Sequence, residues 1–177
     1  MHLCRSTLDT PVGPMLALAS EAALCALEFS SPDRVSRLEA RLDCWFAPYR
    51  IEDRANGVID RAREWLRLYF DGASADAGEL ALDLRGRSFE RRVWAALAAI
   101  PPGDTTTYGT VARRVGSTGG SRAVGLANGA NPIAIVIPCH RVIGSNGELT
   151  GYGGGLDRKR WLLDHERRWR GEFTLRP

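Results

Sequence analysis

Lysine is all but missing from this chain: of its 24 basic residues, Lys159 is the single lysine and the rest are arginine. Histidine is scarce as well, with only His2, His140 and His165. The four cysteines, Cys4, Cys25, Cys44 and Cys139, form no Cys-x-x-Cys pair. A zinc set drawn from His2, Cys4 and Cys25 matches no standard spacing, so no metal and no other cofactor is expected. Long apolar runs are absent too. None approaches the roughly 20 residues of a membrane span, and the first residues lack the basic-then-apolar pattern of a signal peptide. A cytoplasmic protein with free thiols is expected.

What is present is unevenly distributed. The formal charge of +3 conceals a division. Residues 1–85 carry ten arginines against fourteen acids, a net −4. Residues 86–177 carry thirteen arginines and Lys159 against seven acids, a net +7. A basic half of this kind suits a polyanion such as DNA, although solvated surface arginine gives the same count. Composition turns basic at Arg85-Gly86-Arg87, so the expected domains are 1–85 and 86–177.

In the first half, Leu3–Leu8, Met15–Ala19 and Leu24–Phe29 read as strands, with a turn at Pro11-Val12-Gly13-Pro14. Asp33–Leu42 and Val58–Phe70 have helical spacing, and in the second Ile59, Ala62, Trp65, Leu66 and Tyr69 share a face. Gly72–Gly78 reads as a loop, and Leu80–Leu84 as a strand or an extended linker. In the second half, Ser88 is expected to cap a helix carrying Phe89, Val93, Trp94, Leu97 and Ile100, stopped by Pro101-Pro102-Gly103. Thr107 is expected to cap a short helix over Tyr108–Val115. After a turn at Gly116–Gly120, Ser121 opens another, roughly Arg122–Gly129. Such a pair in a basic region fits a helix-turn-helix. Asn146-Gly147 between Val142–Ser145 and Glu148–Gly151 signals a hairpin. Asp157 is expected to cap a last helix with Trp161, Leu162 and His165 on or near one face and Glu166 near its end.

The helix after Gly120 is chemically odd. Gly125 and Gly129 each lower helix propensity by about 1 kcal/mol relative to alanine. Either the helix needs a flat face for close approach to a ligand, or it packs closely on another helix. For reading base edges it offers Arg122 and Asn128 and little else, so a shallow, sequence-neutral contact fits better than major-groove recognition.

The apolar run Ile133–Ile137 reads as a buried strand ending at Pro138-Cys139-His140-Arg141-Val142. A cysteine at such an exit is both rigidly held and reachable. Neighbouring imidazole and cationic groups favour its thiolate. A structural core cysteine is the competing reading. The later Gly151-Tyr152-Gly153-Gly154-Gly155 lets backbone amides approach a ligand, but it lacks the Gly-Lys-Ser/Thr end of a phosphate-binding Walker loop.

Ile137-Pro138-Cys139-His140-Arg141-Val142 resembles the active-site motif of the O6-alkylguanine-DNA alkyltransferases, the methylated-DNA–protein-cysteine methyltransferases. The flanking order is similar as well: Ser88-Phe89-x-x-x-Val93-Trp94, Thr107-Tyr108-Gly109, Ser121-Arg122-Ala123-Val124-Gly125, Asn131-Pro132, the glycine loop at Tyr152, and Trp161-Leu162-Leu163-x-x-Glu166. Thr7–Gly13 adds a weaker match. The resemblance implies an RNase H-like α/β N-terminal domain and a mainly α C-terminal domain with a winged helix-turn-helix. It implies single-use transfer of an alkyl group from guanine O6 in duplex DNA to a cysteine, and leaves transfer from thymine O4 open. Minor-groove docking and nucleotide flipping come with it.

By matching motif, the resemblance makes Cys139 the alkyl acceptor. His140 is its base through a water, and Glu166 orients that histidine. Tyr108 becomes the hydrogen-bond donor to the base, and Arg122 the residue that fills the vacated stack. Asn131 ties the recognition helix to the nucleophile. Ser121, Ala123 and Gly125 join Arg122 and Tyr108 on the DNA face, while Tyr152, Gly153 and Val142 line the substrate pocket. Gly153 stands where some relatives have serine, leaving only backbone contacts there. Some relatives hold an N-terminal zinc, and none is expected here. The protein is expected to be a monomer, whether or not it binds DNA cooperatively. Two other readings compete: a helix-turn-helix regulator or redox sensor with a reactive cysteine, and a cysteine hydrolase.

Overall fold

In a computed structural model, which describes residues 1–73 and 77–169, the chain forms two compact units. The first is Met1–Gly86 with Pro132–Ala134; the second is Arg87–Asn131 with the described residues from Ile135 onward.

The first unit is built on β1 (His2–Leu8), β2 (Met15–Ala19), β3 (Leu24–Phe29) and β4 (Arg50–Glu52), in sheet order β3-β2-β1-β4. The β1–β2 pair is antiparallel, registering Leu8 on Met15 and Cys4 on Ala19, whereas β4 runs parallel to β1. Thr10 and Gly13 close the β1–β2 turn through the Gly13 N–H on Thr10 O at 2.9 Å, and Gly13 takes φ +102°, which glycine adopts freely. Helix α1 (Pro32–Phe46) lays Leu38, Leu42 and Phe46 into a core with Leu3, Leu18, Cys25 and Ala26. Helix α2 (Gly57–Phe70) starts where the Asn56 side chain accepts from Val58 N and Ile59 N, and it buries Ile59, Ala62, Trp65, Leu66 and Tyr69. Two short extended segments satisfy β3. The Leu24 N–H bonds Ala81 O, and the Leu27 N–H bonds Pro132 O at 2.9 Å while Leu27 O receives the Ala134 N–H at 2.8 Å.

The second unit is mainly helical: α3 (Ser88–Ala98), α4 (Tyr108–Arg114), α5 (Ser121–Gly129) and α6 (Leu156–Trp169). A two-residue parallel pair, β5 (Thr106–Thr107) on β6 (Val142–Ile143), sits beside the helix-turn-helix of α4 and α5. Thr107 caps α4 as expected, its side chain accepting from Thr110 N. Gly116 and Gly119 take positive φ in the turn, and a Cβ on Gly120 would lie 2.2 Å from Ser117 Oγ, so the turn requires glycine.

Several local expectations fail. Ile133–Ile137 is buried throughout but is not a strand. Only Ile133 bridges to β3, and Ile135 turns the chain at φ +71°. Asn146-Gly147 makes a turn, closed by the Gly144 N–H on Glu148 O at 2.9 Å, without a hairpin, because β6 pairs with β5 instead. Ser88, Ser121 and Asp157 lie inside their helices, so they do not cap them. Leu82 bridges to Leu24, which settles the 80–84 segment as extended. Of the loop expected at 72–78, residues 74–76 lie outside those described, and Ala77–Glu79 is a 3-10 turn.

Candidate active site

Cys139 opens a 3-10 turn, Cys139–Arg141, placed by the irregular segment before it. Its N–H bonds Ile137 O at 2.8 Å, and the Arg141 N–H bonds Pro138 O at 3.0 Å. The residue is 6% exposed. Asn131, buried just past α5, donates from Nδ2 to Ile137 O at 2.8 Å and to Cys139 Sγ at 3.2 Å. An amide N–H on sulfur favours the thiolate over the thiol, because only the anion is a strong acceptor.

Behind Cys139 lies a buried charge cluster. His140 Nε2 is 2.8 Å from Glu166 Oε1, and both side chains are fully enclosed. Since the carboxylate accepts, Nε2 carries the proton and Nδ1 keeps its lone pair. Nδ1 has no hydrogen-bond partner among the described residues. Burial depresses the imidazole pKa below its ordinary value despite the pull of Glu166, and Arg141 pushes the same way, so His140 rests neutral. Glu166 also receives Arg141 Nε at 2.9 Å, Arg141 Nη2 at 2.7 Å and the Gly103 N–H at 3.0 Å. Burial alone would raise its pKa. Hydrogen bonds from His140 and Arg141, with the positive charge of Arg141, override that and hold the carboxyl well below the usual range. Arg141 spends its charge on Glu166 and on Ile100 O. The cationic field expected at the thiol from this residue is therefore largely neutralised.

Tyr108, the first residue of α4, directs its hydroxyl to Thr150 O at 3.2 Å and Gly151 O at 3.3 Å. Burial raises its pKa, so the phenol keeps its proton and stays a donor. Tyr152 sets its ring edge-on to His140, with centroids 6.4 Å apart. Gly153 is exposed and Val142 is buried on β6. Lys159 stands out in the sequence only as the single lysine. Its side chain is fully buried on α6, and Nζ donates to Val142 O at 2.6 Å and Thr150 O at 2.7 Å. Lys159 thus clamps β6 to the segment that also receives Tyr108. Burial pushes its ammonium down to about 8. The missed signal was spacing: Lys159, Leu162, Leu163 and Glu166 recur at 3, 4 and 7 residues on one helical face.

Helix α5 separates two kinds of side chain. Ser121, Arg122, Ala123, Leu126 and Gly129 are exposed, and Gly125 is half-buried. Leu126, at 79%, is one of three exposed large apolar residues among those described. A Cβ on Gly125 would meet Tyr108 at an ordinary 3.9 Å, and one on Gly129 would meet nothing within 4 Å. Packing within the protein therefore does not require either glycine. Asn128, expected as a polar reader on that face, is instead buried beside Val124 and Ala127.

The structure thus brings Cys139, His140, Glu166, Asn131, Tyr108, Tyr152 and Val142 into one unit, with Arg122, Ser121 and Ala123 on the exposed face of α5.

Comparison with known proteins agrees over nearly the whole length. Residues 88–168 match the family described as 6-O-methylguanine DNA methyltransferase, DNA binding domain, and residues 3–84 its ribonuclease-like domain. A methylated-DNA–protein-cysteine methyltransferase of Mycolicibacterium paratuberculosis is 61% identical over 163 residues, spanning 92% of this chain and 91% of that protein. A protein of the same name from Salmonella typhimurium is 42% identical, covering 94% of this chain and 96% of its own. Among solved structures, the Mycobacterium tuberculosis protein crystallised with DNA superposes with a TM-score of 0.78 at 40% identity, over 96% of this chain and 94% of that one.

Proposed function

The chain belongs to the methylated-DNA–protein-cysteine methyltransferase family, and from that premise we propose how its own residues divide the repair of O6-methylguanine in DNA. The thiolate of Cys139 attacks the methyl carbon in line with the C–O bond. The S–C bond forms as the C–O bond breaks, and the electron pair leaves with guanine O6. The thiol proton departs to His140 Nδ1 through a water, and Glu166 balances the imidazolium. Tyr108 gives up its bond to the 150–151 carbonyls to donate to the departing base. Asn131 steadies the sulfur. The observation that carries this reading is the pairing of the Asn131 amide on Cys139 Sγ with a neutral His140 whose Nε2 is held by Glu166 and whose Nδ1 is open.

The reacting atom of a stacked base is out of reach, so the nucleotide must leave the duplex. Arg122, exposed near the start of α5, is the group to take its place, and the small residues around it suit close approach in a minor groove. Duplex DNA is the partner, bound by a monomer. The product is a thioether, a bond that thiol exchange does not undo, so each molecule acts once on O6-alkylguanine, with O4-alkylthymine the second substrate to assay. No described helix is long and apolar enough to cross a membrane, and cysteines held as thiols rather than disulfides suit work in the cytoplasm. The division at residues 85 and 86 separates a ribonuclease-like scaffold from the part that binds DNA and accepts the alkyl group.

The test is intact-mass measurement after incubation with an oligonucleotide carrying O6-methylguanine. One methyl per chain should appear, on Cys139, and Cys139→Ala should abolish transfer while leaving DNA binding in place. Repeated turnover, or methyl on Cys4, Cys25 or Cys44, would sink the assignment.

A further inference from the structure

Asn128 is a polar residue on the DNA-facing helix that the reaction as described does not use. It lies on the inner side of α5 and is only 3% exposed, so it is out of reach of a base edge. Its Nδ2 donates to the main-chain carbonyl of Cys139 at 3.3 Å, while its Oδ1 has no hydrogen-bond partner among the described residues. The same carbonyl accepts the N–H of Val142, at the end of the 3-10 turn. Three residues after Asn128, the Asn131 amide reaches Cys139 Sγ and Ile137 O. Two amides, on the last turn of α5 and just beyond it, therefore grip the nucleophile at its carbonyl and at its sulfur. The opposite side of the same short helix carries Arg122 and Leu126. A buried side chain that donates to the nucleophile's own backbone, and to nothing on the DNA side, has a positional use.

We propose that Asn128 is a positioning residue for alkyl transfer: its amide fixes the backbone of Cys139, and through it the direction of the sulfur, without touching DNA. This rests on Cys139 being the alkyl acceptor. An apolar replacement leaves the carbonyl with one bond and lets the turn relax. Aspartate is nearly the same size, but it donates only while protonated. It keeps the bond in acid and loses it as the carboxyl ionises.

The experiment compares Asn128→Leu, Asn128→Met and Asn128→Asp in the full chain. It reads single-turnover methyl transfer from an O6-methylguanine duplex, reaction with free O6-benzylguanine, affinity for unmodified duplex, and pH dependence. The Leu and Met variants should lose about fivefold in rate, the worth of one neutral hydrogen bond. The loss should be equal on duplex and free base, with unchanged affinity for unmodified duplex. The rate of the Asp variant relative to the native protein should fall as pH rises, while the Leu and Met ratios stay flat. A rate loss confined to duplex DNA, or weakened affinity for it, would make Asn128 a DNA contact. Native rates in all three, or a flat Asp ratio, would leave it a packing residue; either result overturns the proposal. Asn128→Asp is nearly isosteric, so its pH readout decides the matter if the apolar variants do not fold. Methyl found elsewhere than Cys139 in the native protein would fail the underlying assignment and is read separately by mass.

Discussion

Replacing Glu166 by glutamine separates what this carboxylate does for His140 from what it does for Arg141. Its two oxygens, fully enclosed, receive His140 Nε2, two nitrogens of Arg141 and the Gly103 N–H. Glutamine offers one accepting oxygen and presents N–H groups where the other donors point. It also leaves the Arg141 guanidinium enclosed without a counter-charge. Removing one partner of a buried ion pair costs about 3–5 kcal/mol, against a total stability of about 5–15 kcal/mol for a domain. At about 2–4 °C per kcal/mol for a chain of this size, Glu166→Gln should lower Tm by about 6–20 °C. Slow transfer in the single variant is therefore ambiguous. The double variant Glu166→Gln/Arg141→Met removes both charges and should recover much of the lost stability. With the fold restored it should still transfer slowly, its pH-rate profile displaced to higher pH, because His140 has lost its anion. Scanning calorimetry and single-turnover rates from pH 6 to about 9.5 read both effects, with each unit of displacement worth about 1.4 kcal/mol. An unchanged Tm in Glu166→Gln would refute the shared-carboxylate argument. Native rates and an unshifted profile in the double variant would remove Glu166 from the chemistry.

The same unit yields three shorter predictions. Arg122→Ala should slow repair in duplex DNA far more than reaction with free O6-benzylguanine, which needs no flipping; equal losses would show that Arg122 does not fill the stack. Gly129→Ala should raise stability by up to about 1 kcal/mol of helix propensity, since its Cβ meets nothing within 4 Å, yet weaken duplex binding in a titration; an unchanged affinity would mean that α5 does not approach DNA at this turn. Lys159 titrates from about 8 in the fold and near 10.4 when unfolded, so between those values the unfolded chain binds the extra proton and stability rises with pH. Urea melts at pH 7.5 and 9.5 should show this rise in the native protein relative to Lys159→Met, and parallel responses would contradict it.

Local pattern made the first half of the chain largely legible. Short apolar stretches marked β1 to β3, and the five apolar residues of α2 pack on one face because that spacing has few alternatives. Strand β4 escaped notice because three residues cannot show a period; it exists through pairing with β1, His2 on Arg50. The run Ile133–Ile137 misled because apolar content reports burial and not backbone shape, and Ile135 bends where a strand would continue. Asn128 misled for the opposite reason: its polarity suggested a surface role, and only the packing of α5 turns it inward. That Cys139 and His140 sit together was legible from adjacency. That Glu166 serves Arg141 as fully as His140 is a contact across 25 residues, which no local spacing encodes.

The enclosure of the one lysine has a consequence for the outside of the molecule. With Lys159 fully buried, no lysine amine reaches the surface, and apart from the N-terminal ammonium and histidine imidazole the basic groups there are guanidinium groups. Those keep their proton far above any working pH. Acyl transfer to lysine, by an enzyme or an amine-reactive label, finds no side chain on this surface, so acetylation of lysine has no hold on its attraction for DNA. Ionic strength is the variable left to set that attraction, and affinity for undamaged duplex should track salt while staying nearly indifferent to alkaline pH.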